Sequence, residues 1–139
     1  MLLYIDTNVF LNVIYKERKV FEGSKKLLNK VEKRDLAAVT SSITLLEIRL
    51  DMVRSGYKDM ADKAVALVED IAGLNILPLD QTMVKVAAEY VVLDGLTVHD
   101  AYHFATALSG RADAFVTRDE ELVKKISKHI KTMRPEENL

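Results

Sequence analysis

The sequence predicts an α/β fold: a single-domain α/β/α sandwich with a mostly parallel central sheet. Short apolar segments alternate with longer segments of helical periodicity along the whole chain, which is the pattern of βα units. The chain has 139 residues, of which 49% are hydrophobic, enough to bury one core without disulfides or metals. With only two prolines and five glycines, little room remains for a flexible linker. We therefore expect residues 1–139 to form one domain.

Four apolar segments are predicted strands, and a shorter one is a candidate edge strand. The unbroken apolar run at residues 2–5 is typical of a buried parallel strand. In the third segment, Pro78 lies near the end, where a strand tolerates proline. The five predicted strands span residues 2–5, 36–40, 74–79, 113–117 and 130–133.

The segments between these strands have helical periodicity. The first predicted helix follows the first strand directly, and the others span residues 20–33, 42–54, 58–72, 81–93, 97–109 and 119–128. Gly73 stands where a left-handed helix cap is preferred. In the helix at 42–54, we expect the core stripe to consist of Ile43, Leu46 and Leu50. Residues 135–139 are predicted to form a frayed acidic tail.

Composition excludes several classes of protein. The absence of cysteine excludes a disulfide framework, a thiolate nucleophile and cysteine-ligated metal. A formal net charge of −1 provides no global field to attract an acidic partner. No apolar run approaches the ~18 residues of a membrane span, and the N-terminus lacks a signal peptide pattern. We expect a cytoplasmic protein that does not enter membranes.

Four acids are predicted to meet at one edge of the sheet. Asp6 and Asp119 each follow a predicted strand, and ligands of open α/β sheets bind beyond the carboxyl ends of the strands. Glu47 and Asp100 lie on helices that can reach this edge from its flanks. Each acid alone also has an ordinary explanation. Asp6 suits a helix N-cap, Asp119 suits a first helical turn, and the other two have capping-box spacing.

Taken together, the four acids predict a metal site. Converged carboxylates without cysteine, and with only three histidines in the chain, form a hard oxygen site. Such a site suits Mg²⁺ or Mn²⁺ rather than zinc. Without a cation, like charges at close range would force some of these groups to protonate.

Four segments of the chain resemble the PIN-domain nucleases, in particular the small toxins of VapBC toxin–antitoxin pairs. They are Tyr-Ile-Asp6-Thr-Asn8, Leu-Leu-Glu47-Ile, His-Asp100-Ala-Tyr-His-Phe-Ala-Thr-Ala-Leu108 and Phe-Val-Thr117-Arg-Asp119. Each segment alone is a weak signal. Their order and their spread over nearly the whole chain make the set fairly specific.

The resemblance implies metal-dependent endonucleolytic cleavage of RNA. It implies that Asp6, Glu47, Asp100 and Asp119 form the acidic set that binds Mg²⁺ or Mn²⁺. Asn8 and Thr117 are implied to be polar neighbours that orient ligands or water. It also implies a small antitoxin protein that blocks the cleft, often by inserting a basic side chain.

Two further expectations concern partners. Leu45, Ile48 and Met52 form a second apolar line on the helix at 42–54, so we expect a homodimer through residues 42–72. RNA would be guided by local basic groups through phosphate contacts. The candidates are Arg49, Arg111, Arg118, and Lys124 or Lys125.

Two other classes of function remain open at this stage. A non-catalytic interaction domain could have an acidic pocket at the strand ends, and so could a phospho-receiver. A phospho-receiver carries its acceptor aspartate at the end of a central strand. Of the predicted strands at 36–40 and 74–79, only the second is followed by an acid, Asp80. His99 and His103 have the spacing of a zinc-binding metalloprotease helix, with Asp100 in place of the usual glutamate. His103 more often packs beside an acid cluster than binds zinc.

Overall fold

A computed structural model describes residues 1–138, which form a five-stranded sheet with helices on both faces. Every strand pair within these residues is parallel, and the strand order is β3-β2-β1-β4-β5. The predicted fold class and the predicted edge strand are confirmed. The strands are β1 (Leu2–Ile5), β2 (Ala37–Ser41), β3 (Leu74–Leu77), β4 (Ala114–Val116) and β5 (Lys131–Met133).

Seven α-helices within residues 1–138 connect and flank these strands. None of them is both long and apolar enough to cross a membrane. A short 3₁₀ helix, Pro135–Asn138, follows β5. The α-helices are α1 (Thr7–Ile14), α2 (Phe21–Glu32), α3 (Ser42–Arg54), α4 (Lys58–Glu69), α5 (Gln81–Asp94), α6 (Val98–Ser109) and α7 (Glu120–Ile126).

Alternating side chains of the strands divide the interior into two cores. Leu3 and Ile5 of β1 pack with α1 to α4 on one face of the sheet. Tyr4 points to the other face and packs with Phe104 of α6 and Phe115 of β4. Because successive residues of a strand face opposite sides, a strand buried on both faces must be apolar throughout. This requirement explains the unbroken apolar run of β1.

The central strand β1 lies at the point where the chain reverses its direction across the sheet. β1 pairs with β2 on one side and with β4 on the other. Connections that leave neighbouring strands toward opposite faces open a crevice at their carboxyl ends. Asp6 closes β1 at this crevice, and its backbone N–H donates to the carbonyl of Val116 at the end of β4 over 3.0 Å.

Helix α3 is rotated relative to the prediction. Its buried residues are Ile43, Thr44, Ile48 and Met52, whereas Leu46 is 50% and Leu50 36% exposed. The predicted stripe is therefore wrong except at Ile43, and the line containing Ile48 and Met52 faces the core. A polar contact explains the rotation of the helix. The Thr44 hydroxyl is hydrogen-bonded to the Thr40 hydroxyl over 2.7 Å, and this contact turns the Thr44 side of α3 toward the core.

The C-terminal segment is packed rather than frayed, which corrects the prediction for residues 135–137. Pro135 is buried. The Glu136 carboxylate accepts a hydrogen bond from the Arg118 guanidinium over 2.6 Å. The last predicted tail residue, 139, lies outside the described residues.

Gly73 is required by close packing rather than by a left-handed conformation. Helix α4 ends at a different cap, Asp70, and Gly73 has no positive φ. A Cβ atom at Gly73 would overlap the backbone carbonyl of Val31 at the end of α2. The left-handed cap is instead Gly95, which ends α5 with φ of 66°.

Replacing Gly73 by alanine should therefore destabilise the fold. Because the overlapping atom is backbone, the α2–β3 contact must open, at a cost of about 1–3 kcal/mol in the free energy of unfolding. Urea unfolding of Gly73→Ala measures this cost. Gly95→Asn is the control and should change stability less, since asparagine tolerates the left-handed region. Equal stability of Gly73→Ala and the unaltered chain would contradict the packing argument.

Candidate functional site

A cavity of about 310 Å³ lies at the carboxyl edge of the sheet and is lined by all four predicted acids. Asp6 comes from the end of β1, Glu47 from α3, Asp100 from α6 and Asp119 from the turn before α7. These residues are distant in sequence, and the parallel topology brings them to one place. The predicted convergence of the acids on this edge is present in the structure.

Asp6 is held on both of its carboxylate oxygens. Oδ1 accepts a hydrogen bond from the backbone of Thr7 over 2.8 Å, so Asp6 is the N-cap of α1. Oδ2 accepts hydrogen bonds from the Thr117 hydroxyl over 2.7 Å and from Asn8 Nδ2 over 3.3 Å. Asp6 therefore caps α1 and lines the cavity at the same time, and the cap fixes the orientation of its carboxylate.

The turn after β4 is tied to Asp6 through Thr117. The Thr117 hydroxyl accepts hydrogen bonds from Asn8 Nδ2 and from the backbone of Asp119, each over 3.1 Å. Asp119 in turn caps α7 by accepting from the backbone of Leu122 over 3.1 Å. Asn8 and Thr117 thus hold two site acids, Asp6 and Asp119, in a fixed relation.

Glu47 is engaged by two histidines and a hydroxyl. Its Oε1 accepts from the Thr7 hydroxyl over 2.7 Å and pairs with His103 Nε2, while Oε2 lies 3.1 Å from His99 Nδ1. The N-cap of α3 is Ser41, so the capping-box explanation of Glu47 is wrong.

Asp100 fits its capping-box position only in part. Its backbone N–H donates to the hydroxyl of Thr97, the N-cap of α6, over 3.2 Å. The same residue also lines the cavity with the other acids. Like Asp6, Asp100 therefore lies near the start of a helix and also lines the cavity.

His103 is the buried partner of this acid cluster, as the sequence suggested. Its ring is 1% exposed, with Nδ1 bonded to the Tyr4 hydroxyl and Nε2 to Glu47. His103 Nε2 also lies 3.6 Å from Asp6 Oδ1. Because His99 and His103 bond different oxygens of one carboxylate, this arrangement does not support the zinc protease alternative.

The charges in the cavity fall into two groups. Burial raises the pKa of Glu47, but the hydrogen bond and charge of His103, with smaller contributions from Thr7 and His99, outweigh it and lower the pKa to about 2. Burial lowers the pKa of His103, but the charges of Asp6 and Glu47 outweigh that effect and raise it. Glu47 is therefore a charge-balanced carboxylate.

Asp100 feels the negative charges of two other acids in the cavity. Burial raises the pKa of Asp100, and the negative charges of Asp6 and Asp119 raise it further. A divalent cation would relieve this repulsion, and oxygen-only donors fit Mg²⁺ or Mn²⁺. No three Asp, Glu or His side chains within residues 1–138 already enclose a cation site. Binding would therefore have to draw these carboxylates together.

Sequence reasoning missed several residues of the site. Thr7 and Tyr4 flank Asp6 in the first segment and bond Glu47 and His103, respectively. Arg54 also lines the cavity. It stands seven residues after Glu47 on α3, a spacing of two helical turns that could have placed it on the same face.

The basic residues suggested as RNA guides do not line the cavity. Arg111 precedes β4 and therefore lies toward the opposite edge of the sheet. The Lys125 ammonium donates to the carbonyl of Gly95 over 3.1 Å. The others are engaged in the ion pairs Arg49–Asp62, Arg118–Glu136 and Lys124–Glu121.

The phospho-receiver alternative finds no support in this geometry. Asp80, the acid that follows β3, is the N-cap of α5 and accepts from the backbone of Met83 over 2.8 Å. Asp80 does not line the acidic cavity.

Comparison with known protein families gives a match. The family model described as PIN domain matches residues 3–128. No curated protein sequence matches the chain significantly.

Solved structures share the fold at low sequence identity. A chain of VapBC2 from Rickettsia felis, bound to a DNA fragment from its promoter, superposes with a TM-score of 0.72 at 17% identity, covering 96% of this chain and 98% of that one. A chain of FitAcB from Neisseria gonorrhoeae gives 0.67 at 24% identity, covering 97% and 98%. A chain of a toxin–antitoxin complex from Klebsiella pneumoniae gives 0.65 at 19% identity, covering 96% and 97%.

The lowered pKa of Glu47 predicts a specific dependence of stability on pH. Its folded pKa of about 2 lies below the ordinary value of 4.5, so its contribution is complete above pH 4.5 and is lost as pH falls toward 2. Allowing for solvent screening, Glu47→Gln should lower the free energy of unfolding by about 2 kcal/mol at pH 7. That difference should shrink between pH 5 and pH 2.5.

Urea unfolding in the presence of a chelator measures this difference at each pH. Glu121→Gln, which alters an exposed pair with Lys124, is the matched control and should have little effect at any pH. A Glu47→Gln difference that stays constant from pH 7 to pH 2.5 would count against the ionised pair.

Proposed function

Since this chain belongs to the PIN-domain family, we propose that it is a divalent-metal-dependent endoribonuclease and the toxin of a toxin–antitoxin pair. The observation that carries this proposal is the single cavity lined by Asp6, Glu47, Asp100 and Asp119. The family is known from the match of its model to residues 3–128. The RNA substrate, the divalent metal and the role as a toxin are our proposals.

We assign the acids according to their charge environments. Asp6, Asp100 and Asp119 would hold Mg²⁺ or Mn²⁺, because a cation would relieve the repulsion that Asp6 and Asp119 exert on Asp100. Glu47 would complete the acidic set from its position beside His103. When bound, the metal would supply hydroxide at neutral pH and stabilise the negative charge of a phosphodiester under attack.

The remaining polar residues would keep the acids in place. Asn8 and Thr117 hold one oxygen of Asp6, so this carboxylate need not reorganise. The Tyr4–His103 pair fixes the ring that faces Glu47. Such outer hydrogen bonds orient carboxylates and limit their motion.

Arg54 is the best candidate for contact with RNA phosphate. Within residues 1–138, it is the only arginine or lysine among the residues that line the acidic cavity. A guanidinium can bind phosphate in a bidentate manner. We propose that Arg54 places the RNA backbone against the acids. We also propose that the protein acts in the cytoplasm.

A separate apolar groove is the proposed site of an antitoxin. Its volume is about 610 Å³, and most of its lining is apolar. Met52 of α3 and the following C-cap residue, Ser55, line this groove, while Leu50 and Arg54 of the same helix line the acidic cavity. An apolar antitoxin segment seated in the groove would therefore end beside the acids. The similarity to a chain of a toxin–antitoxin complex from Klebsiella pneumoniae supports an antitoxin partner, and the groove is where we propose that it binds.

A second copy of the chain is the proposed partner of the outer face of α3. Leu46, Leu50 and Val53 form an exposed apolar ridge on this helix. The expected homodimer through residues 42–72 therefore involves this ridge. Of the apolar line that the sequence suggests for this interface, Ile48 and Met52 are buried in the core, and Leu45 is half-buried against it.

The decisive experiment on the reaction is RNA cleavage with Mg²⁺, with Mn²⁺ and with EDTA. The unaltered chain should cleave with either metal and not with EDTA. Asp100→Asn should lose activity by about 100-fold or more, because a ligand contributes at least as much as its outer partners. Arg54→Ala should raise KM with a smaller effect on kcat, as expected for a residue that binds substrate before and during reaction.

Asp59→Asn is the matched control for these variants, since Asp59 is an exposed acid on α4 away from the cavity. It should cleave like the unaltered chain. Full activity of Asp100→Asn, or cleavage that persists in EDTA, would contradict the proposed mechanism.

Light scattering tests the proposed partners. At micromolar concentration the chain should have the mass of two copies, and Leu46→Glu should have the mass of one.

The purified product of a short reading frame beside the gene should bind the unaltered chain. Binding should be weakened in Leu67→Glu, whose side chain lines the groove, without a change in RNA cleavage. A monomeric unaltered chain, or equal binding by Leu67→Glu, would refute the respective assignment.

A further inference from the structure

We infer that Arg118, clamped by Glu136 of the C-terminal 3₁₀ helix, is a positioning residue for Asp119 and Asp6. The contact between Arg118 and Glu136 joins the C-terminal 3₁₀ helix to the turn that carries Asp119. This inference rests on the proposed metal-dependent activity, and it concerns residues that do not line the acidic cavity.

Arg118 stands between two residues that serve the site. Thr117 before it donates to Asp6 over 2.7 Å, and Asp119 after it lines the cavity. The backbone N–H of Arg118 also donates to Asn8 Oδ1 over 3.3 Å. Any displacement of the Arg118 backbone would therefore move the hydrogen bonds that hold Asp6 and Asp119.

The guanidinium of Arg118 anchors this backbone from the other side. Nε donates to Asn12 Oδ1 over 2.6 Å, and Nη2 donates to Ser24 Oγ over 2.9 Å and to the Val20 carbonyl over 3.2 Å. Nη1 and Nη2 together donate to both oxygens of Glu136, over 3.2 and 2.6 Å. The planar fork of arginine suits such a bidentate contact, which lysine cannot reproduce.

The anchor is built into buried polar groups. Asn12 of α1 and Ser24 of α2 are buried, and Ser24 Oγ donates to Asn12 Oδ1 over 2.9 Å. Buried polar atoms need partners, so these side chains depend on Arg118 for part of their hydrogen bonding. Arg118 thereby joins α1, α2 and the C-terminal segment at one point.

Gly23 leaves the space that Glu136 occupies. A Cβ atom at Gly23 would overlap the Glu136 carboxylate, which is the flexible end of a side chain. A methyl group there would displace the carboxylate from Arg118 without altering either charged residue. Hydrogen bonding to Arg118 is the main cause that lowers the pKa of Glu136, consistent with an ionised pair.

The test compares Gly23→Ala and Glu136→Gln with the unaltered full-length chain. Mn²⁺ affinity is measured by calorimetry, RNA cleavage by kcat and KM, and stability by thermal unfolding in chelator. Both variants should bind Mn²⁺ about tenfold more weakly, with a lower kcat and a similar KM, as for lost outer partners of a metal site. Arg118→Lys should recover part of the affinity lost in Arg118→Ala.

Stability separates positioning from simple unfolding. Gly23→Ala should unfold close to the temperature of the unaltered chain, because alanine favours the helix and the lost pair is partly exposed. The matched control is Asp62→Asn, which breaks the exposed Arg49–Asp62 pair and should bind Mn²⁺ normally.

Unchanged Mn²⁺ affinity and kcat in Gly23→Ala and Glu136→Gln would overturn the positioning role and leave the proposed nuclease intact. If the unaltered chain binds Mn²⁺ but does not cleave RNA, the proposed function fails, and the change in Mn²⁺ affinity still decides the positioning role. Failure of the unaltered chain to bind Mn²⁺ would overturn both.

Discussion

The hydrogen bond from Thr117 to Asp6 connects the ends of the two central strands, and the acidic site depends on it. Parallel pairing of β1 and β4 brings these ends together at the switch point of the sheet. Asn8 bonds both residues and closes the arrangement. Because Thr117 also accepts from the backbone of Asp119, one hydroxyl connects the two residues that bring acids to the cavity from the ends of β1 and β4.

The site divides its negative charge between two kinds of environment. Glu47 is balanced by His103, whose ring is fixed by Tyr4 beneath it. For Asp100, burial and then the charges of Asp6 and Asp119 raise the pKa above the ordinary value and outweigh the lowering by Thr97 and His103. Glu47 is thus already stabilised in its charged form, whereas a bound cation would stabilise the charged form of Asp100. This asymmetry is the physical basis on which we assign a metal to Asp6, Asp100 and Asp119.

Residues outside the cavity connect it to the proposed partner surfaces and to the C-terminal segment. Helix α3 contributes to the core, to the acidic cavity, to the apolar groove and, through Leu46, to an exposed ridge. A partner on either apolar surface would therefore lie close to the acids. On another side, Glu136 and Arg118 connect the last helical turn of the described chain to the turn before α7. The acids are thus supported by segments from both ends of the chain.

The sequence by itself determined the succession of strands and helices along the chain and indicated that four acids meet at one edge of the sheet, because apolar periodicity and strand ends are local signals. It did not determine the rotation of α3, where the bond from Thr44 to Thr40 outweighed the exposure of Leu46 and Leu50. Nor did it reveal the pairing of Glu136 with Arg118, the place of Arg54 or the reason for Gly73. These depend on contacts between residues distant in sequence, which only the tertiary structure decides.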